Sequence, residues 1–394
     1  MTHPVAIIGA GWTGFRPVTP EVSYKELIYE AAVRAYADAG VDPRRDVDSF
    51  VTVSEDFHEG TSIFDEYVPD QIGGAQRPVH TITGDGLHGL AAAVMQILTG
   101  RFRVVVVEGH SKASNILTLP HITAYALDPI LNRPLGANPL AVAALEACRY
   151  MHESGATREQ CAAVVTKNRR NALRNPAAAY GADLRTEDVL ASEPVASPLA
   201  RLEISDHADG AIVMVLADAE TARRLSPCPV WIRGIGWASD SPSLESRHWA
   251  GAVYAEQAAA MAYKMAGIAS PAEEIQFAEV DDTYAYKELQ HMEALGLCAQ
   301  GRAGPLTVEG ATAPDGCLPV NVSGGSLGVG QLLEASGLAR VLEVVLQLRG
   351  QAGSRQLGEF HTGLAQSWRG IPTTSGAVAV LSNQPSSQLG GRGS

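Results

Sequence analysis

Several short stretches of the sequence carry residues whose types and spacing suit chemistry. Asp281-Asp282-Thr283-Tyr284 follows the apolar run Phe277–Val280, so two carboxyls and a phenol stand at a strand end. Adjacent carboxyls hold different pKa values when one is buried, which is what general acid–base work needs. The alternative is that one of them caps the helix read over Tyr286–Leu295. A second stretch, Thr83-Gly84-Asp85-Gly86, is flanked by His80 and His88 and leads into an Ala-rich helix. A turn feeding a helix N-terminus aims backbone N–H groups at one point, where nucleophiles and oxyanion holes are often placed. A third, Lys167 to Arg174, reads on its residues alone as a solvated basic helix end. Gly9, Gly11 and Gly14 have GxGxxG spacing after a strand-like run, but Trp12 to Pro17 leads to no helix, so the context of a dinucleotide site is missing. The 5 cysteines are scattered, with neither CxxC nor zinc spacing, as expected of reduced thiols in a cytoplasmic protein.

The elements that must position these groups alternate between strand and helix. Val5–Gly11 reads as a buried strand, Tyr24–Ala39 as a helix stopped by Gly40, and Ser49–Val53 as a strand. Ser54–Gln76 is irregular and long enough to be a functional loop. Leu87, Leu90, Ala91, Val94, Met95 and Leu98 recur at helical spacing, Gly100 suits a C-terminal cap, and Val104–Val107 reads as a strand covered on both faces. His110-Ser111-Lys112-Ala113-Ser114 is expected just past that strand. Asn115–Ala137 is a Pro-containing loop suited to covering a substrate, and Asn138–Ser154 and Thr157–Arg174 are helices. Ile212–Leu216 is a strand, Ala252–Ala266 a helix and Gly376–Leu381 a terminal strand.

Val230-Trp-Ile-Arg-Gly-Ile-Gly236 echoes Val5-Ala-Ile-Ile-Gly-Ala-Gly11, a faint duplication that argues for two similar α/β halves. The expected division is 1–225, carrying a loop insertion at about 111–200, then 226–383, then a flexible tail at 384–394. Hydrophobic content of 46% and charged content of 19% describe an ordinary globular chain, and a net charge of −13 argues against a general nucleic-acid binder. No apolar run reaches the length of a membrane span.

The chain resembles the thiolase superfamily along almost its whole length. Thr83-Gly84-Asp85-Gly86 matches the Cys-Ala-Ser-Gly-like tetrapeptide before the Ala-rich helix. Asn321-Val322-Ser323-Gly324-Gly325 … Gly330-Gln331-Leu332-Leu333-Glu334-Ala335-Ser336-Gly337 is similar to Asn-x-x-Gly-Gly … Gly-His-Pro-x-Gly-Ala-x-Gly. Lys167-Asn168 … Ala172 … Asn175-Pro176 … Ala178 … Tyr180, and Leu346-Gln-Leu-Arg-Gly, resemble the sterol-carrier-protein thiolases and related bacterial lipid-transfer proteins. The resemblance implies a thiolase fold: two βαβαβαββ halves in a five-layered sandwich, usually dimeric. It implies structural roles for Asp209 and for the polar motif after Glu108.

It also implies what is gone. The nucleophilic cysteine position holds Thr83, the histidine positions hold Asp281 and Gln331, and the last glycine loop, Ser367 to Ser375, has no cysteine. A thiolase needs a thiolate, a histidine to activate it and a base at the α-carbon. Ordinary acetyl-CoA thiolysis is therefore not expected. Amides near Gly86 and Gly376 are expected to polarise a thioester carbonyl. By resemblance, Lys167 and Arg170 face CoA phosphates, and Ser323, Gly324 and Gly325 belong to the acyl-CoA site. Candidate catalytic groups are Asp281, Asp282, Tyr284, Thr83, His88 and Gln331. The function implied is retro-aldol cleavage of a bulky β-hydroxyacyl-CoA, as in steroid side-chain aldolases of this superfamily that work with an OB-fold, zinc-ribbon acyl-CoA-binding partner. In those relatives tyrosines occupy the two histidine positions, from which this chain departs. The alternatives are a non-catalytic scaffold subunit and an acyltransferase acting without a covalent acyl-enzyme. CoA enters as a thioester substrate, no covalently held cofactor is expected, and no metal ligand set is read.

Overall fold

In a computed structural model the chain is described over residues 4–59, 63–116, 119–136, 138–241, 243–370 and 375–385. The first half contributes strands β1 (Val5–Trp12), β2 (Ser49–Val53), β3 (Val79–Ile82), β4 (Val104–Ser111) and β5 (Gly210–Asp218). Its helices are α1 (Tyr24–Ala39), α2 (Gly86–Leu98), α3 (Pro139–Ser154) and α4 (Arg158–Ala172). The second half contributes β6 (Val230–Ser239), α5 (Val253–Ala266), β7 (Phe277–Glu279), α6 (Ala285–Ala294), the short α7 (Gly325–Val329), α8 (Ser336–Leu348), β8 (Thr362–Trp368) and β9 (Ser375–Ser382). Helix limits follow local chemistry. Ser23 and Glu26 form a capping box on α1, Gly40 closes it in a left-handed conformation, and Thr157 with Gln160 caps α4 in the same way.

The strands run β3-β2-β4-β5-β1-β6-β9-β8-β7 in one hydrogen-bonded order of 9, and the two halves meet where β1 pairs antiparallel with β6. Side-chain alternation along the strands builds the layers. Val5 and Ile7 of β1, Val105 and Val107 of β4, and Ala377 and Ala379 of β9 face a central core with Leu87 and Leu90 of α2 and Val341 and Val345 of α8. The intervening residues face outward. Ala6, Ile8, Val104 and Val106 pack on α1, while Val378 and Val380 pack with α5 and α6. Helix, sheet, paired helices, sheet and helix make five layers.

The echoed Gly-x-Gly motifs have a packing reason. A Cβ at Gly11 would lie 2.1 Å from the Ala31 carbonyl of α1, and one at Gly236 would lie 2.1 Å from the Ala258 carbonyl of α5. In both halves the glycines let an Ala-rich helix lie directly on the first strand, which is also why Gly9-Ala10-Gly11 is not a nucleotide turn.

Several expectations need correction. β4 runs on to Ser111, so His110 and Ser111 lie inside the strand rather than past it. The Asn115–Ala137 stretch carries a short helix, Leu119–Ala124. Ser367 and Trp368 end β8, a strand not read from the sequence, instead of opening a loop. Residues 371–374 of that loop, and the tail from 386 onward, lie outside the described residues.

Gly11→Ala is expected to destabilise the protein by about 1–3 kcal/mol, because helix backbone, not a mobile side chain, occupies the space. Gly14, which has nothing within 4 Å of an added Cβ, is expected to tolerate alanine with little change. Urea unfolding midpoints of the two variants test this; equal losses would refute the packing role.

Candidate functional site

A cavity of about 590 Å³ opens between the halves. Its walls come from the turn before α2 (Gly84, Asp85), the loop after β2 (Glu55, His58), the insertion (Ile116, Leu119, Pro139, Leu140) and the segment Ser205–His207. The second half adds Thr283, Tyr284, Gln331, Leu333, Glu334, Trp368, Arg369 and Gly370. The lining is apolar on the insertion side and carries its ionisable groups where the halves meet.

Asp85 fixes the end of the cavity nearest the central helices. It is the N-cap of α2, its Oδ1 accepting from the Leu87 amide at 2.9 Å. Its Oδ2 accepts from the Gly337 amide of α8 at 2.8 Å. Burial pushes its pKa up, against the lowering effects of Ser367, Arg340 and His88. Thr83, assigned to the nucleophile position by resemblance, is exposed and is not part of the cavity wall. The helix begins at Gly86, the last residue of the matched tetrapeptide, and its cap is Asp85, two residues after Thr83. His88 sits on the first turn of α2 outside the lining, with Nδ1 buried and burial holding its pKa down.

Asp281 and Asp282 are buried in structural bonds and do not line the cavity. Asp281 Oδ2 accepts from Arg340 of α8 at 2.7 Å, and its Oδ1 accepts from the Thr283 amide at 3.0 Å. Asp282 accepts from the Ser326 and Leu327 amides at 2.5 and 3.2 Å and from Asn168 Nδ2 at 2.8 Å. It therefore caps α7, not the helix that follows it in sequence. Burial, then repulsion from Glu288, raises its pKa to about 7. Tyr284 does reach the cavity. Its ring stacks on Tyr286 at 6.0 Å and tilts against Trp368 at 6.2 Å. Burial pushes the phenol above its ordinary pKa, so at neutral pH it is a proton donor. Gln331 also lines the cavity, its Oε1 accepting from the Leu333 amide at 3.0 Å.

The residues expected to hold CoA are placed elsewhere. The Lys167 ammonium donates to Glu288 at 2.7 Å and to the Val320 carbonyl at 2.9 Å. Arg170 is exposed and pairs with Asp183. Ser323 donates to Glu279, and an added Cβ at Gly324 or Gly325 would meet Ala172 or Asp282. Gly86 packs on Leu338 and Gly376 on Tyr254. Among the described residues, the glycines that line the cavity are Gly84 and Gly370, and its Arg side chains are Arg201, near Asp206, and Arg369, paired with Glu55.

Sequence reasoning missed His58, His207 and Glu334. His58 Nδ1 is hydrogen-bonded to Glu334 Oε1. His207 is exposed toward the cavity, and the protein packed around its ring lowers its pKa to about 4. Glu334 had a signal: it stands at a glycine of the matched motif. His58, in the short helix Asp56–Glu59 of a stretch that reads as irregular, had none.

Behind Trp368 lies a buried polar cluster. Lys287 Nζ sits 4.1 Å from the Trp368 ring centroid, pairs with Glu146 of α3 and donates to Gln290 at 2.7 Å. His291 donates from Nδ1 to the Asp281 carbonyl and accepts from the Tyr254 hydroxyl, both at 2.8 Å. Among the described residues no group of His, Cys, Asp and Glu is placed to hold a metal, and no helix is long and apolar enough to cross a membrane.

Comparison with known proteins agrees with this architecture. The thiolase C-terminal domain-like family model matches residues 236–383. The chain is 33% identical over 384 residues to an acetyl-CoA acetyltransferase of Methanothermobacter thermautotrophicus, covering 95% of this chain and 98% of that one. It is 30% identical over 394 residues to the 17-hydroxy-3-oxo-4-pregnene-20-carboxyl-CoA lyase of Mycobacterium tuberculosis, with the same coverage of 95% and 98%. The solved Ltp2-ChsH2(DUF35) aldolase aligns with a TM-score of 0.84 at 28% identity, over 98% of this chain and 99% of that one. The chain belongs to the thiolase superfamily, in its sterol-carrier-protein-thiolase and lipid-transfer branch.

Burial, then the Lys287 charge, drops the His291 pKa from 6.5 to about 3, so the unfolded chain binds a proton that the folded chain refuses. That stability is fully present above pH 6.5 and is lost as pH falls toward 3, at about 1.4 kcal/mol per unit. His291→Gln is expected to lower stability at pH 7 and to flatten its pH dependence below 6.5. Urea titrations across that range check this; an unchanged slope would place the acid lability elsewhere.

Proposed function

We propose that the protein is a carbon–carbon lyase that cleaves a bulky β-hydroxyacyl-CoA by a retro-aldol reaction, without a covalent acyl-enzyme. The observation that carries the proposal is the separation of thiols from the cavity. Cys161 is buried in the outer core beside α5 and α6, Cys148, Cys228 and Cys317 are exposed, and Cys298 is half-buried. None of them lines the cavity, and burial pushes the Cys298 thiol up to about 12. A thiol so far from its thiolate form is a poor nucleophile.

A retro-aldol step needs no such nucleophile. A base removes the β-hydroxyl proton, the Cα–Cβ bond breaks, and its electron pair becomes a thioester enolate. Protonation at Cα then gives a shortened acyl-CoA beside an aldehyde or ketone. Tyr284 is suited to donate a hydrogen bond to the developing enolate oxygen, since it is protonated, lines the cavity and makes no side-chain hydrogen bond among the described residues. The apolar wall from the insertion suits a bulky acyl chain. The lyase and aldolase relatives support this reading. The acetyltransferase relatives favour acyl transfer instead, a reading that asks the cavity for a nucleophile its thiols do not supply.

The proposal extends to assembly. The aldolase relative is a complex with a DUF35 protein, and we assign this chain a comparable OB-fold, zinc-ribbon acyl-CoA-binding partner. A homodimer and a cytoplasmic location complete the proposal.

Incubation with β-hydroxyacyl-CoA thioesters, with and without the partner, is expected to release an aldehyde or ketone. Tyr284→Phe is expected to slow release by roughly 10²–10³-fold, the cost of one lost oxyanion donor. A Tyr284→Phe variant as fast as wild type would remove the phenol from the mechanism, and failure of the wild type to release any carbonyl product would sink the lyase reading.

A further inference from the structure

We infer that His58 is the proton-transfer residue of this cavity and that Glu334 positions it, an assignment that rests on the lyase reading above. Tyr284 is held protonated, and Asp281 and Asp282 are consumed by Arg340 and by the cap of α7, so the hydroxyl proton needs another acceptor. His58 lines the cavity from the first half, on the short helix Asp56–Glu59 that follows β2. Glu334 lines it from the second half, in the turn that leads into α8. The Glu334 carboxylate meets His58 at Nδ1. A carboxylate at Nδ1 fixes the imidazole tautomer that leaves Nε2 basic and stabilises the imidazolium once it forms.

Independent features mark Glu334 as more than packing. Its side chain is only 2% exposed, yet Oε2 accepts no hydrogen bond among the described residues. A buried, half-satisfied carboxylate costs stability and is retained where function needs it. The preceding residue, Leu333, also lines the cavity and is held at φ +45°, a conformation that a branched side chain rarely adopts. The matched motif has glycine where this chain has Glu334.

The proton balance closes on one residue. His58 takes the β-hydroxyl proton as the Cα–Cβ bond breaks, and the resulting imidazolium returns that proton to Cα of the enolate. No oxidant, reductant or further reactant enters. Among the described residues, the other ionisable groups lining the cavity are Glu55, Asp85, Arg201, Asp206, His207 and Arg369, besides Tyr284. His207, with its pKa near 4, is a weaker base than an ordinary histidine.

The test uses the full chain with its partner and two readouts: carbonyl release from a β-hydroxyacyl-CoA, and exchange of the α-protons of the shortened acyl-CoA in D₂O. His58→Gln is expected to lower both by roughly 10²–10⁴-fold, with KM little changed. Imidazole added to His58→Ala is expected to restore part of the rate, which separates lost chemistry from lost folding. Glu334→Gln is expected to lower kcat less and to move the acid limb of the kcat/KM profile to lower pH, because the imidazolium loses its counter-charge. Wild-type cleavage that survives in His58→Gln would overturn the assignment and leave the lyase reading standing. Exchange without cleavage in the wild type, lost in His58→Gln, would overturn the lyase reading and keep the base. A wild type that does neither would overturn both.

Discussion

One buried carboxylate ties the structure together at the point where it matters. Asp85 accepts from the first turn of α2 with one oxygen and from the first turn of α8 with the other. The two central helices belong to different halves, so this side chain clamps the halves at the cavity wall. The clamp dictates its surroundings. A Cβ at Gly337 would lie 1.8 Å from the carboxylate, so that position takes glycine. Arg340, one turn further along α8, lowers the Asp85 pKa and reaches Asp281 at the end of the second-half strand.

This economy explains why three of the residues picked out by the matched motifs, Asp281, Asp282 and Lys167, sit in structural bonds. Asp281 balances Arg340, Asp282 caps α7, and Lys167 balances Glu288. Removing one partner from a buried pair strands the other charge, so such residues are constrained by folding whatever the chemistry. The groups that face the cavity are different: Tyr284 and Glu334 from one half, His58 and His207 from the other. Behind them, Lys287 and Glu146 join α6 to the insertion helix α3 beneath Trp368, so the cavity wall rests on an ion pair shielded from solvent.

The fold was largely legible because its determinants are local. The Tyr24–Ala39 helix announced its limits through Ser23, Glu26 and Gly40, and the repeated Gly-x-Gly marked the strand of each half that carries a helix directly on its face. β8 escaped because Thr362–Trp368 lacks the β-branched run that marked β4, and its burial comes wholly from neighbours. The site was less legible because a cavity gathers residues distant in sequence. Tyr284 was found through its strand-end motif. His58 and Glu334 are far apart in the chain, and nothing local to His58 signals the pairing. Thr83 was picked by tetrapeptide spacing alone, which does not show which residue of the turn faces the cavity; Asp85, the helix cap, does.

The central claim is that this thioester-holding scaffold works without attaching the acyl group to itself. Intact-mass analysis of the protein, quenched during turnover of a β-hydroxyacyl-CoA, tests it most directly. The expected result is an unmodified chain of 41.5 kDa beside free carbonyl product and shortened acyl-CoA. An acyl adduct that forms and decays at the rate of turnover, on any cysteine or on Thr83, would contradict it.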